Sequence, residues 1–466
     1  MKKISVFLVL TILACTLAGC GQNENQESVP DKKMNLNIVL EEADTEGRPL
    51  EEAIQAYQEQ HPEINIQIET IVNSYPKPGT SEEEAKKLAE KRASQVQRIR
   101  TEVMSGKGAD LFLLRTSYIW SDNLFQDVDK AMRSGVFCDL NSYLEQDQSF
   151  HIDDFFEPVI QAGSCNNKQY LVPLSFKMPM LISTEDSIAS MNFDVAKAEA
   201  NMDNFVAEIK NSLPEGQWPS ISVIDFLGIL DQHLLDYDNS KVLLDTLAVR
   251  NAIKWSRELD YVNVYDENIN LSPQPDGDLD RATKLSAGTL KMFGCELFIG
   301  GSIPGHAQIM QKQGAKPVFL AVPNEKGGVT AIADSYAAIR ANSSNKDAAY
   351  GLISYLLGKE CQESKAYPGV SFPVRKDSLR NAVELGRLEY WSTSDFADKN
   401  SVALNDENYE AFYNAVNRMT TAHLQIILLS GEMDYGDVLD GPVDSNAAIN
   451  EAIRNSTEDL QRYLEE

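Results

Sequence analysis

The chain has 466 residues and a formal net charge of −28, with 43% hydrophobic and 24% charged residues. Such acidity argues against nucleic acid, polyanionic polymers and anionic lipid surfaces as partners. The hydrophobic share is that of a folded globular chain, and the length suits two or three domains.

The N-terminus reads as an export signal. Lys2 and Lys3 precede an apolar run from Ile4 to about Ala14, and small residues follow. That order is a secretory signal, too short for a stable spanning helix. Its end, Leu17-Ala18-Gly19-Cys20, resembles a bacterial lipobox. The resemblance implies removal of residues 1–19 and diacylation of Cys20 on sulfur. One acyl chain holds a protein marginally, whereas two anchor it durably. Residues 20–33 then form the lipidated Cys and a polar tether. The expected location is extracytoplasmic, lipid-anchored to the cell membrane. Beyond the signal no apolar run reaches the roughly 18 residues a span requires.

Cleavage and lipidation would leave Cys138, Cys165, Cys295 and Cys361. None is in Cys-x-x-Cys spacing, so zinc and thioredoxin chemistry lack support. Cys138 and Cys165 are the pair closest in sequence, and whether any pair is bridged stays open.

Leu36 to Leu40 reads as a buried strand, and Pro49 opens a helix with Ala53, Ile54 and Tyr57 at helical spacing up to His61-Pro62. Ile64, Ile66 and Ile68 alternate with polar residues as a strand does, which completes a β-α-β unit. Ser81 with Glu84 forms a capping box for a charged helix to about Ser105, closed by Gly106 and Gly108. Ala109 to Leu114 is the next strand, and 119–165 reads as short helices and turns. Tyr170 to Ile182 is extended, because Pro173 and Pro179 bar a regular helix. Residues 185–290 read mainly as helices, clearest at 241–259. Pro317 to Val322 is extended, Asn324 to Thr330 a turn and Ala331 to Ile339 a strand. Lys346 to Leu357 is an apolar helix with Asn345 placed to cap it, and the remainder after about residue 376 is mostly helical. Strands alternating with helices predict an α/β fold with largely parallel sheets.

Several stretches then resemble the extracellular solute-binding proteins of ABC importers, in the branch typified by maltodextrin and multiple-sugar binders. They are "HPEINIQI", "GKGADLFLL", "VFCDLNSYL", "NNKQYLVPL" and "ADSYAAIRANSSNKDAAYGLISYLLGKECQ" with "GVSFPVRKD". They run in the family's order over about residues 34–377. In "LKMFGCELFIGG" the family's aromatic after glycine is replaced, since Cys295-Glu296 follows Gly294. The resemblance implies an α/β, two-lobed, periplasmic-binding-protein-like (type II) fold with hinge strands and a ligand cleft between lobes. The N-terminal lobe would take 34–174 plus 328–378 and the C-terminal lobe 183–318 plus 379–466, with hinge crossings at 175–182 and 319–327. The implied function is capture of a small solute, a mono- or oligosaccharide by preference, by lobe closure, and delivery to ABC importer permease subunits. No catalysis, cofactor or metal is expected, and the protein is read as a monomer. Two rivals are a secreted hydrolase on a two-lobed fold and a ligand-sensing subunit for a membrane kinase.

Ligands of such sheets sit beyond the carboxyl ends of strands. Glu42 and Asp44 follow the first strand; Arg115, Tyr118 and Trp120 follow the third; the hinge supplies Phe176 and Lys177, and the return strand Ser335 and Tyr336. Aromatic rings cover the C–H face of a pyranose, and charged groups take its hydroxyls.

Other patterns carry less. Asp276, Asp278 and Asp280 alternate as in a calcium loop, but Arg281 and Ala287 stand where an EF-hand needs Gly and Glu, so an acidic surface loop is the favoured reading and a nonstandard calcium site the alternative. Gly300-Gly301-Ser302-Ile303-Pro304-Gly305 lacks the Lys of a phosphate cradle and reads as a loop. Ser343 and Lys346, in Ser-x-x-Lys spacing, read as part of a helix start.

Overall fold

A computed structural model describes residues 33–41, 49–73, 80–116, 123–214, 218–219, 221, 223–259, 277–294, 302–363, 371–390, 401–424 and 446–465. From Met34 onward the chain forms one compact unit. Its strands are β1 (Met34–Glu41), β2 (Ile64–Ile71), β3 (Leu111–Arg115), β4 (Ser164–Cys165), β5 (Lys168–Gln169), β6 (Leu171–Lys177), β7 (Met180–Thr184), β8 (Leu235–Asp236), β9 (Lys241–Val242), β10 (Met292–Phe293), β11 (Pro317–Ala321), β12 (Val329–Ile339), β13 (Phe372–Pro373) and β14 (Met419–His423).

The opening β-α-β is present as expected: β1 pairs in parallel with β2 and with β3, and helix α1 (Pro49–Gln60) buries Ala53, Ile54 and Tyr57 against them. Helix α2 (Glu82–Met104) begins at the reciprocal Ser81–Glu84 capping box. It ends where Gly106 (φ +73°) and Gly108 (φ +90°) take the left-handed backbone that a side chain disfavours.

Seven strands form the large sheet, in the order β13-β6-β12-β3-β1-β2 with β14 also paired to β12; β10-β7-β11 form a second, three-stranded sheet. The large sheet is mixed rather than largely parallel: β12 runs antiparallel to both β3 and β6, and the small sheet is antiparallel throughout. The reason is connectivity. The chain leaves the large sheet at Lys177, passes Met178 and Pro179, and enters the small sheet at Met180. It returns from Ala321 to β12 at Val329, so β12 enters the large sheet from the end at which β6 left it. The return turn is built on buried Asn324, whose Oδ1 accepts from the amides of Lys326 and Gly328 (both 3.0 Å) and whose Nδ2 donates to Thr330 Oγ1 at 3.1 Å. Gly327 (φ +92°) completes it, since a Cβ there would lie 2.2 Å from Ala200 O.

Three apolar cores result. The largest runs through both sheets, from Leu36, Ile38 and Leu113 through Phe176, Met178 and Met180 to Phe319 and Phe412. The second lies under the small sheet and gathers Phe205, Phe226, Leu235, Trp255 and Leu460. The third backs the large sheet with Val39, Phe112, Leu114, Val128, Met132 and Tyr336.

Several local expectations are corrected. Residues 241–242 belong to the β8–β9 hairpin, and the helix read over 241–259 spans Leu247–Leu259. The stretch after residue 376 contains β14, which its apolar content did not separate from helix. Asn345 does not cap the helix Lys346–Leu357, because its Nδ2 donates to Asn35 O (2.9 Å) and Asp110 Oδ2 (3.1 Å). Ser302 to Gly305, read as loop, opens the helix Ser302–Lys312, where Pro304 is tolerated in the first turn. Cys138, Cys165 and Cys361 are thiols rather than halves of a disulfide; Cys295 lies outside the described residues. No helix of the described residues is long and apolar enough to cross a membrane.

Candidate functional site

The ends of β1, β3 and β6 and the opening half of β12 meet beside the two passages between sheets. Register places Ile332 opposite Lys177, and Ser335 opposite both Arg115 and Ser175. Asp334, one position earlier, is 7% exposed and sits between two cations: Lys177 Nζ lies 2.7 Å from its Oδ1 and Arg115 Nη2 lies 3.5 Å from its Oδ2. Ser371 Oγ donates to Oδ2 at 2.6 Å. Burial opposes the charged form of Asp334, but Lys177 and Arg115, with the hydrogen bonds from Lys177 and Ser371, outweigh it and hold the carboxyl far below its ordinary range.

The surroundings are equally polar. Ser175 Oγ and Ser335 Oγ are hydrogen-bonded to each other at 2.6 Å. The backbone amide of Arg115 donates to Glu41 Oε2 at 3.1 Å, while the other oxygen of Glu41 is bound by Arg92. Arg92 also donates to Val72 O at 3.0 Å, which ties α2 to the end of β2. Thr116 donates its hydroxyl to Ala333 O and its amide to Asp334 O at 2.9 Å. A buried carboxylate with only one partner would be costly, and here every contact fixes its position. The ensemble is a set of fixed donors and acceptors beside the two passages between sheets.

Of the residues picked from sequence, Arg115, Lys177 and Ser335 are brought together here. Glu42, Asp44, Tyr118 and Trp120 lie outside the described residues, as do Cys20 and the signal and tether. Phe176 is a correction: its ring is fully buried, 5.1 Å from that of Phe156 and 5.6 Å from that of Phe372. Alternation along β6 turns Phe176 into the core between Ser175 and Lys177. Tyr336 is a second correction, 2% exposed in the core behind the sheet with Phe112. Asp334 was missed. Its signal was present as the one acidic residue within the apolar run Val329–Ile339. The sequence points to its neighbours Ser335 and Tyr336 on the same strand, but a lone acid there does not announce partners as remote as Arg115 and Lys177. Among the described residues no group of three or more His, Cys, Asp or Glu side chains is placed to hold a metal ion. Asp280 pairs instead with Lys284 at 2.7 Å, one helical turn on; Asp276 lies outside the described residues.

Two sheets joined by neighbouring passages, with polar groups gathered beside them, define a periplasmic-binding-protein-like α/β receptor. Residues 43–363 match the family model of bacterial extracellular solute-binding proteins, and the chain belongs to that family. Among solved structures it resembles the sugar-binding protein MalE of Xanthomonas citri (16% identity, TM-score 0.60, covering 92% of this chain and 98% of that one). It is also similar to an ABC substrate-binding protein of Listeria monocytogenes in complex with cycloalternan (15%, 0.55, 93% and 99%). A third likeness is to the cyclic alpha-maltosyl-1,6-maltose binding protein of Arthrobacter globiformis (15%, 0.54, 92% and 99%). At these identities the likeness is one of fold. No curated protein matches the sequence. Members of the family are non-catalytic solute receptors of ABC transporters, which sets the hydrolase alternative aside.

Proposed function

We propose that this receptor captures a carbohydrate outside the cytoplasm and hands it to the permease of its importer while tethered through lipidated Cys20. The observation that carries the reading is the Lys177–Asp334–Arg115 cluster, built on strands that lead into and out of the second sheet. Solute held there and by the facing lobe favours the closed form over the open one, and that differential affinity drives closure. The lobes are 34–174 with 328–378 and 183–318 with 379–466, corrected at β14 (Met419–His423), which pairs with β12 and so belongs with the large sheet; the passages at 175–182 and 319–327 act as hinge. Arg115, Lys177, Asp334 and Ser335 take hydroxyl groups. Tyr118 and Trp120 stack on sugar faces, and Glu42 and Asp44 add acceptors. Three likenesses of fold whose partners' names include a sugar support the ligand class.

A thermal-shift panel of sugars, amino acids, peptides and polyamines tests it. Solute at 100 times its dissociation constant stabilises by about 2.7 kcal/mol, a rise of a few degrees in Tm. A shift with one or more sugars is expected; a shift with amino acids or polyamines and none with sugars overturns the ligand class.

A further inference from the structure

Asp127 stands between the second and third apolar cores and uses its two carboxylate oxygens for different purposes. Oδ1 accepts from the Lys130 amide at 2.8 Å and so caps helix α3 (Val128–Arg133), whose Val128, Ala131 and Met132 belong to the core behind the large sheet. Oδ2 accepts from the hydroxyl of Tyr237, beside the β8–β9 hairpin, and from that of Tyr463 at 3.0 Å, in the helix Asn446–Glu465. Both of those elements pack on the core under the small sheet.

The rest of the contact repeats the pattern. Lys130 Nζ donates to Tyr463 O at 3.0 Å and lies 4.3 Å from the centroid of its ring. Arg133 pairs with Asp238, and its guanidinium carbon lies 5.2 Å from the Tyr237 ring centroid. Both polar side chains of α3 named here reach residues in or beside the elements that pack on the other core. The largest core spans both sheets, and these hydrogen bonds and ion pairs link elements that pack on the second and third. Hydroxyl-to-carboxylate bonds are charge-assisted and stronger than neutral ones, but they are directional and are lost with small displacements.

We propose that Asp127 is a positioning residue for solute capture: it clasps Tyr237 and Tyr463 and thereby sets the resting angle between the two halves of the receptor without touching the solute. This rests on the reading that capture proceeds by lobe closure. Helix α3 is the next helix in the chain after β3, whose end carries Arg115.

The test uses the ligand-free full chain with Tyr237→Phe and Tyr463→Phe combined, which removes both hydroxyls and keeps both rings. Asp127→Asn is the second variant, because the amide oxygen still caps the helix while an NH2 donor replaces the oxygen that accepts from the two hydroxyls. The expected result is a small-angle scattering profile shifted to a larger radius of gyration, with unchanged circular dichroism. Amide exchange over 127–133 and 235–242 should be roughly tenfold faster or more, as loss of a charged hydrogen bond dictates. Scattering profiles that superimpose on the wild type for both variants overturn the proposal and leave an ordinary surface contact. No ligand enters the measurement, so it stands or falls separately from the carbohydrate reading.

Discussion

Lys177 Nζ lies 2.7 Å from Asp334 Oδ1, joining the last residue of the outgoing strand β6 to the opening half of the returning strand β12. Both side chains are mostly shielded from water, at 12% and 9% exposure, so the pair is not a solvated surface bridge of small worth. It pins the two strands that carry the chain between sheets.

Replacing Asp334 by Ala leaves Lys177 and Arg115 facing each other without their carboxylate. Breaking a buried pair in this way costs about 3–5 kcal/mol. Urea unfolding of Asp334→Ala should show that loss, and any sugar identified by thermal shift should bind more weakly to it. The depressed carboxyl also sets a pH window. Its stabilisation is present above the unfolded value near 3.8 and fades as pH falls below it. An Asp334→Asn protein should lack that component of acid sensitivity.

His423 acts in a different window. Burial and the neighbouring ring of His233, 4.7 Å away, lower its pKa to about 4, against the opposing pull of the Leu230 carbonyl and Asp231. Between about 6.5 and about 4 the unfolded chain binds a proton that the folded one refuses. Stability therefore falls as pH drops through that range, by on the order of 3 kcal/mol. Unfolding midpoints measured from pH 7 to pH 4 should fall, and His423→Gln, which can still donate to Leu230 O, should flatten the slope. An unchanged slope in that variant would assign the loss to other groups.

Phe176 offers a contrast between core and site. Phe176→Ala should destabilise by about 3–5 kcal/mol through lost burial and the cavity left among Phe156 and Phe372. Phe176→Leu should lower Tm by less and leave the affinity for an identified solute within a few-fold of wild type. A large loss of affinity at nearly unchanged stability would return Phe176 to the solute-binding set.

The elements whose order comes from near neighbours were readable in advance. Ser81 and Glu84 announce α2 because a capping box closes within one turn, and Ala53, Ile54 and Tyr57 announce the buried face of α1 by their spacing. The order of weak motifs likewise pointed to the family that the match over residues 43–363 establishes. Acidity, too, is a property of composition alone.

What tertiary structure alone decided depends on distance along the chain. Asp127 meets Tyr237 and Tyr463 across 110 and 336 residues, and no local pattern reports a partner so remote. Phe176 reads from sequence as an aromatic at a hinge, and only the neighbouring rings place it in the core. Asp334 is visible in the sequence as an acid in an apolar strand, but its meaning rests on the direction of β12. A strand's direction is set by where the chain crosses between sheets, because hydrophobic alternation is the same read forward or backward. That reversal placed Asp334 between Lys177 and Arg115.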